Sequence, residues 1–163
     1  MQISKTKKIV LAALLASLTC VATMLIKVPS PMKGYVNLGD CIVLLCGWLL
    51  SPLYGFLAAG IGSALADILS GYILYAPATF VIKGLMALIA YLFTKKSHKL
   101  PFLIASGFTA EAFMVGGYLL FESILYGFLP SVANVPFNAV QGAAGLVLGI
   151  ILVRFFDKSN IAK

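Results

Sequence analysis

Eighteen consecutive residues, 9–26 (IVLAALLASLTCVATMLI), carry no charged side chain. A helix needs about 20 mostly apolar residues to cross about 30 Å of hydrocarbon, so this run alone directs the chain towards a bilayer. Five more apolar stretches follow: 41–50, closed by Ser51-Pro52, then 53 to about 69, about 78–93, 101–121 and 136–156. Over 163 residues, 61% are hydrophobic and 10% charged, against about 45–50% and about 25% in soluble domains. A domain of this length cannot bury that excess in its own core. A water-soluble globule, a disordered chain and an ordinary nucleic-acid-binding domain are excluded. The basic start and apolar run of the first segment also suit a secretory leader, but the run is long and the following VPSPMKGY lacks a small-residue cleavage site. It is read as a helix.

Charge placement tests the count of spans. Basic residues collect on the cytoplasmic side of membrane helices. Lys5, Lys7 and Lys8 precede the first span, Lys95, Lys96 and Lys99 separate the fourth from the fifth, and Arg154, Lys158 and Lys163 close the chain, nine of its twelve basic residues. Six spans place all three groups on one side, with both termini cytoplasmic. Omitting the short second segment would put the first group opposite the others. Lys27 and Lys33 fall on the outer side and Lys83 within a span. The expected fold is therefore an all-α integral membrane bundle of six helices, one domain over residues 1–163. The second helix is too short to cross alone and must borrow flanking residues or lie beside thinned bilayer or water. No internal repeat is apparent, so an inverted-repeat transporter is not supported.

Polar residues inside spans are costly and are functional candidates by default. Asp40 opens the second helix, Asp67 lies near the outer end of the third, and Lys83 lies about two turns into the fourth. Glu111 falls near mid-depth of the fifth, with Tyr118 two turns above and Glu122 at the mouth. Asn138 and Gln141, three apart, share one face of the sixth. All lie at mid-depth or above. A pore or proton relay would need polar groups through the whole thickness, so the pattern describes a cup open to the outside, roofed by the longer outer loops 27–39, 70–77 and 122–135. Each residue also has a plainer reading. Asp67 and Lys83 neutralise one another or meet a ligand; Asp40 caps its helix or serves the site; Glu122 sits among headgroups or in the cup. Tyr35, Tyr72, Tyr75 and Tyr126 form an interfacial belt or stack on a flat ligand. Ala12 and Ala16, the 55/59/63/66 stripe and Gly145 with Gly149 allow close helix approach, within the bundle or to another protein.

Absent motifs narrow the energetics. The chain has no GxxxxGK[ST], HExxH or GxSxG, and its one histidine, His98, is in a basic loop. Catalysis is not expected. No metal site or cofactor is expected either; Cys20, Cys41 and Cys46 lie in apolar runs without a CxxC. Energy for accumulating a solute must come from a partner or an ion gradient.

The strings GYVNLGDCIVLL, SPLYGFLAAGIGSALADILSGYILYAPATFVIKGLMALIAYLF, MVGGYLLFE and NVPFNAVQGAAG closely resemble the substrate-binding S components of energy-coupling factor (ECF) transporters. The riboflavin-type group, which also includes importers of pyridoxine and hydroxymethylpyrimidine, is the most similar. The resemblance covers nearly the whole chain. It implies a six-helix bundle with an outer vitamin site capped by the first external loop. It also implies docking to one transmembrane coupling subunit and two ATPases, and uptake by toppling of the whole S component. Ala12 and Ala16 match the first-helix AxxxA that contacts the coupling subunit, Asn37 the closing loop, and Asn138 with Gln141 the polar pair facing the pocket. Tyr75, Lys83 and Glu111 lie in matching segments.

The expected function is capture, at a bacterial plasma membrane, of a flat vitamin or precursor that is itself the cargo. The expected contacts are Asn37, Asp67, Tyr75, Lys83, Glu111, Tyr118, Asn138 and Gln141. Two other readings stay open: a self-sufficient permease driven by protons through Glu111, and a membrane scaffold without a small ligand.

Overall fold

The computed structural model describes residues 5–30 and 34–158; Lys33 and Lys163, used in the charge argument, lie outside them. The apolar runs form α1 (Lys5–Leu25), α2 (Asp40–Leu49), α3 (Pro52–Leu69), α4 (Ala76–Thr94), α5 (Leu100–Tyr126) and α7 (Val135–Lys158). Four of these begin with a proline in the first turn, Pro52, Pro77, Pro101 and Pro136, where the missing N–H breaks no helical bond and the fixed φ suits the helix. Two elements were not expected. Residues 27–29 and 35–37 pair as an antiparallel hairpin, β1 (Lys27–Pro29) and β2 (Tyr35–Asn37), with Val28 opposite Val36. A short helix, α6 (Phe128–Val132), follows Gly127, whose φ of 89° breaks the chain direction at the end of α5 in a conformation open to glycine.

Helices α1, α3, α4, α5 and the α6–α7 stretch are long and apolar enough to cross a membrane. Their outer faces are greasy: Leu25, Phe108, Leu120, Ile124, Leu129 and Phe155 are largely exposed. In water that surface would be untenable; in lipid it is the ordinary exterior. The chain is a multi-pass membrane protein.

Helix α2 meets its length problem by the first of the two expected routes, borrowing flanking residues, and it has protein rather than thinned bilayer around it. Asp40 through Trp48 are all buried, because α2 packs against α1, α3, α4 and α7 and does not face lipid. Ten residues rise about 15 Å, half the hydrocarbon depth. Its column is completed by the hairpin at its N-terminal end. Gly47 permits this central position, since a Cβ there would collide with the backbone of Ala87 on α4. Leu44, Leu45, Met86, Leu103 and Met114 fill the surrounding core.

Candidate functional site

The bundle has two dissimilar ends, one bearing the hairpin and one bearing Lys8, Lys95 and Lys99. At the hairpin end a cavity of about 30 Å³ lies among the hairpin and the ends of α3, α4, α5 and α7. Its walls include Tyr35, Tyr72, Tyr75 and Tyr118, with Asp67, Glu122, Asn37, Asn138 and Gln141 between them. Tyr35 and Tyr72 meet at 4.7 Å between ring centroids, and Tyr75 lies edge-on to Phe121 at 5.3 Å. These contacts hold the aromatic faces as a wall.

Hydrogen bonds fasten the hairpin over the bundle. Tyr35 donates its hydroxyl to Asp67 Oδ1 at 2.6 Å, and Lys27 Nζ donates to Ser70 Oγ at 2.8 Å. The Asn37 backbone N–H and side-chain amide both donate to Gln141 Oε1, at 2.9 and 3.3 Å. Asn37 Oδ1 accepts the Gly39 N–H at 2.8 Å, which fixes the turn into α2. Burial, with Asp67 alongside, pushes the Tyr35 phenol well above its ordinary range. Burial, with hydrogen bonding to Tyr126 and the charge of Glu122, does the same to Tyr75. Both remain protonated and act as donors.

Beneath the cavity is an ionic layer. Gln141 Nε2 donates to Asp40 Oδ2 at 2.7 Å, and Lys83 Nζ donates to Asp40 Oδ1 as a buried ion pair. The Lys83 ammonium also lies 5.5 Å from the Tyr118 ring centroid, a cation–π distance. Gln141 thus links the hairpin to the ion pair. Glu111 occupies the same layer, beside α7, at 6% exposure. Gly145 makes the room: a Cβ there would come within 2.7 Å of Asp40 Cβ and 3.0 Å of Glu111 Oε1. Neither oxygen of Glu111 has a hydrogen-bond partner.

Six of the eight residues singled out as ligand contacts therefore converge on one cavity: Asn37, Asp67, Tyr75, Tyr118, Asn138 and Gln141. Lys83 and Glu111 do not line it; they support it from below. Lys83 takes Asp40 as its ion-pair partner rather than Asp67, and Asp40 uses its side chain for that pair rather than for capping, Gly39 being the N-cap. Ala12 and Ala16 pack against the apolar core, and the carbonyl of Ala16 lies where a Cβ on Gly62 would fall, so Ala16 also lies at the contact between α1 and α3.

The cavity also draws on residues that sequence reasoning left in the belt or the loops. Glu122 Oε1 accepts from Asn134 Nδ2 at 2.7 Å and from Tyr75 at 3.3 Å. Thr79 and Tyr118 share a hydrogen bond of 3.1 Å. Two signals were available. Asn134 stands four before Asn138 and seven before Gln141, and Glu122 stands four after Tyr118 and eleven after Glu111, spacings that place each set on one helical face.

A family model described as "ECF-type riboflavin transporter, S component" matches residues 3–158. A protein of Pyrococcus woesei, "Uncharacterized protein in gap 3'region", is 37% identical over 130 residues, 79% of this chain and 87% of its own. The "Thiamine precursor transporter HmpT" of Lactococcus lactis subsp. cremoris (strain MG1363) is 27% identical over 157 residues, 95% of this chain and 90% of its own. A solved structure reported under "Structure and mechanism of the S component of a bacterial ECF transporter" superposes with a TM-score of 0.79 at 21% identity, covering 97% of this chain and 99% of the other. It shows that the fold is the same.

Proposed function

Since this chain belongs to the ECF-type riboflavin transporter S component family, we propose that its hairpin-end cavity captures a small flat B-vitamin or vitamin precursor from outside the cell. As a family member it is a membrane transport protein for vitamin-type substrates, not an enzyme, and it associates with an ECF energising module. The finer reading is that this module comprises one transmembrane coupling subunit and two ATPases, and that the setting is the plasma membrane.

One observation carries the proposal: a cavity walled by tyrosines and lined with amides and carboxylates sits at one end of the bundle, above an apolar core. Tyrosine faces suit a planar ring, and amides and carboxylates fix its edge groups. The basic loops lie at the opposite end, which by the positive-inside rule turns the cavity outward. Below Glu111 the interior is closed by Leu44, Leu45, Met86 and Leu103. Among the described residues a proton path through Glu111 therefore finds no further buried carboxylate or histidine below it, which disfavours a self-sufficient permease. The ligands named for the family and for the Lactococcus relative, riboflavin and a thiamine precursor, are both planar nitrogen heterocycles.

The test is mass spectrometry of small molecules released from protein purified in detergent, followed by titration. A vitamin-class heterocycle is expected to co-purify and to raise the melting temperature, and Tyr75→Ala is expected to abolish both effects. Nothing co-purifying, and no thermal shift with riboflavin, pyridoxine or hydroxymethylpyrimidine, would leave the scaffold reading. Uptake is expected only in cells that express the energising module. Docking through Ala12 and Ala16 is part of the same proposal: Ala12→Trp should block uptake while a folded, ligand-binding protein is still recovered.

A further inference from the structure

Four of the chain's five acidic residues, Asp40, Asp67, Glu111 and Glu122, are buried towards the hairpin end, and Lys83 is the basic residue that shares their burial. Its ion pair is with Asp40. No described lysine or arginine lines the cavity itself, whereas Asp67 and Glu122 both do. This is the reverse of the chain's formal charge of +7.

Each of these two cavity acids has one oxygen occupied and one unmatched. Asp67 Oδ1 accepts from Tyr35 and Glu122 Oε1 accepts from Asn134 and Tyr75. Asp67 Oδ2 and Glu122 Oε2 have no partner, although the residues are only 4% and 2% exposed. A buried polar oxygen without a partner carries a desolvation cost of about 1–3 kcal/mol, more if charged. Tyr35 and Tyr75 already donate to the other oxygens; the Thr79–Tyr118 pair keeps one hydroxyl proton free, with Thr79 beside Asp67, so Glu122 Oε2 is the more fully unmatched of the two. No three described His, Cys, Asp or Glu side chains come together as a metal cage would require. Donors carried by an organic ligand would complete both carboxylates.

Resting on the proposed function and narrowing its substrate class, we infer that the cargo is an amino-substituted nitrogen heterocycle that presents N–H donors, or a protonated ring nitrogen, to Glu122 and Asp67. An aminopyrimidine fits this requirement. A flavin ring offers these acids mainly carbonyl acceptors on its polar edge, and a phosphorylated ligand would add negative charge beside them. Size points the same way, because a cavity of about 30 Å³ needs far less opening for one ring than for three.

The experiment uses the full chain in detergent and three probes: 4-amino-5-hydroxymethyl-2-methylpyrimidine, its 4-oxo counterpart of the same size, and riboflavin. Affinities are read by calorimetry. The 4-oxo form keeps a ring N–H but presents a carbonyl acceptor where the amino form has its exocyclic donor. A site built around that donor rejects such an analogue by large factors, so the amino form should bind at least about 100-fold tighter than the oxo form. Glu122→Gln, which keeps the shape but offers a donor where an acceptor stood, should shrink that preference to below about tenfold; Asp67→Asn serves as the second variant if the first does not fold. Equal or tighter binding of the oxo form or of riboflavin overturns this inference and leaves the proposed function standing. Binding of none of the three, with no vitamin co-purifying, overturns both.

Discussion

The two ends of the bundle each hold a cavity, and the larger is at the end without the buried acids. At the lysine end a cavity of about 300 Å³ is lined by Lys8, Trp48, Tyr54, Tyr91, Lys95 and His98 among others; at the hairpin end the space is about 30 Å³. Lys8, Lys95 and His98 are exposed, so their polar atoms are already solvated and ask for nothing. The buried indole there is satisfied, since Trp48 Nε1 donates to Ser106 Oγ at 2.9 Å. At the hairpin end the carboxylates are buried and half-matched. Empty volume is a poor guide to a binding site in this fold; polar atoms lacking partners are the better one, because their cost is what a ligand removes.

Perturbing the layer beneath the hairpin should have the greatest effect. Lys83→Ala strands Asp40 as an uncompensated buried charge and should cost about 3–5 kcal/mol, seen as loss of folded protein in a thermal melt. Lys83→Met with Asp40→Leu should recover much of that, since removing both partners of a buried pair is far milder than removing one. A single variant as stable as wild type would show that Asp40 is not held as a charge. Gln141→Ala comes next, at about 2–3 kcal/mol, because it leaves the Asn37 amide and Asp40 each short of a partner. It should also raise hydrogen exchange across residues 35–37 and weaken ligand binding at least tenfold. Ser106→Ala should cost about 1–2 kcal/mol by orphaning the Trp48 N–H, yet leave ligand affinity unchanged; a drop in affinity would mean the ends are coupled. Smallest of all, Lys8→Ala or Lys95→Ala should shift stability by less than about 0.5 kcal/mol, as expected for exposed charges, with binding intact.

Much of this arrangement was legible in the chain. Helix boundaries followed from apolar runs and from Pro52 and Pro101, signals local enough to read in one dimension. The hairpin was not legible, because strands of three residues are too short to display the alternation that marks a strand. Helix α2 was found but its surroundings stayed open: hydrophobicity says that a segment avoids water, and cannot say whether protein or lipid covers it. The gathering of Asp67, Tyr118, Asn138 and Gln141 was expected from depth, since each falls near the same end of its segment, whereas Asn37 came from the resemblance and Tyr75 from its choice between belt and stacking face. Which acid Lys83 would choose was beyond that method. Asp40 and Asp67 are both plausible by depth, and the choice is made by how α2, α4 and α7 rotate about their axes, with Gly145 admitting Asp40 to the face of α7.

The brevity of α2 separates responsibilities along the membrane normal. Because it stops halfway, the remaining part of its column is left to the hairpin and a small void, while the middle of the bundle is packed with apolar side chains that lie away from that void. Substitutions around the void can then alter which molecule is carried without loosening the hull, and a lineage could retune its diet by changing a handful of side chains on an unchanged chassis.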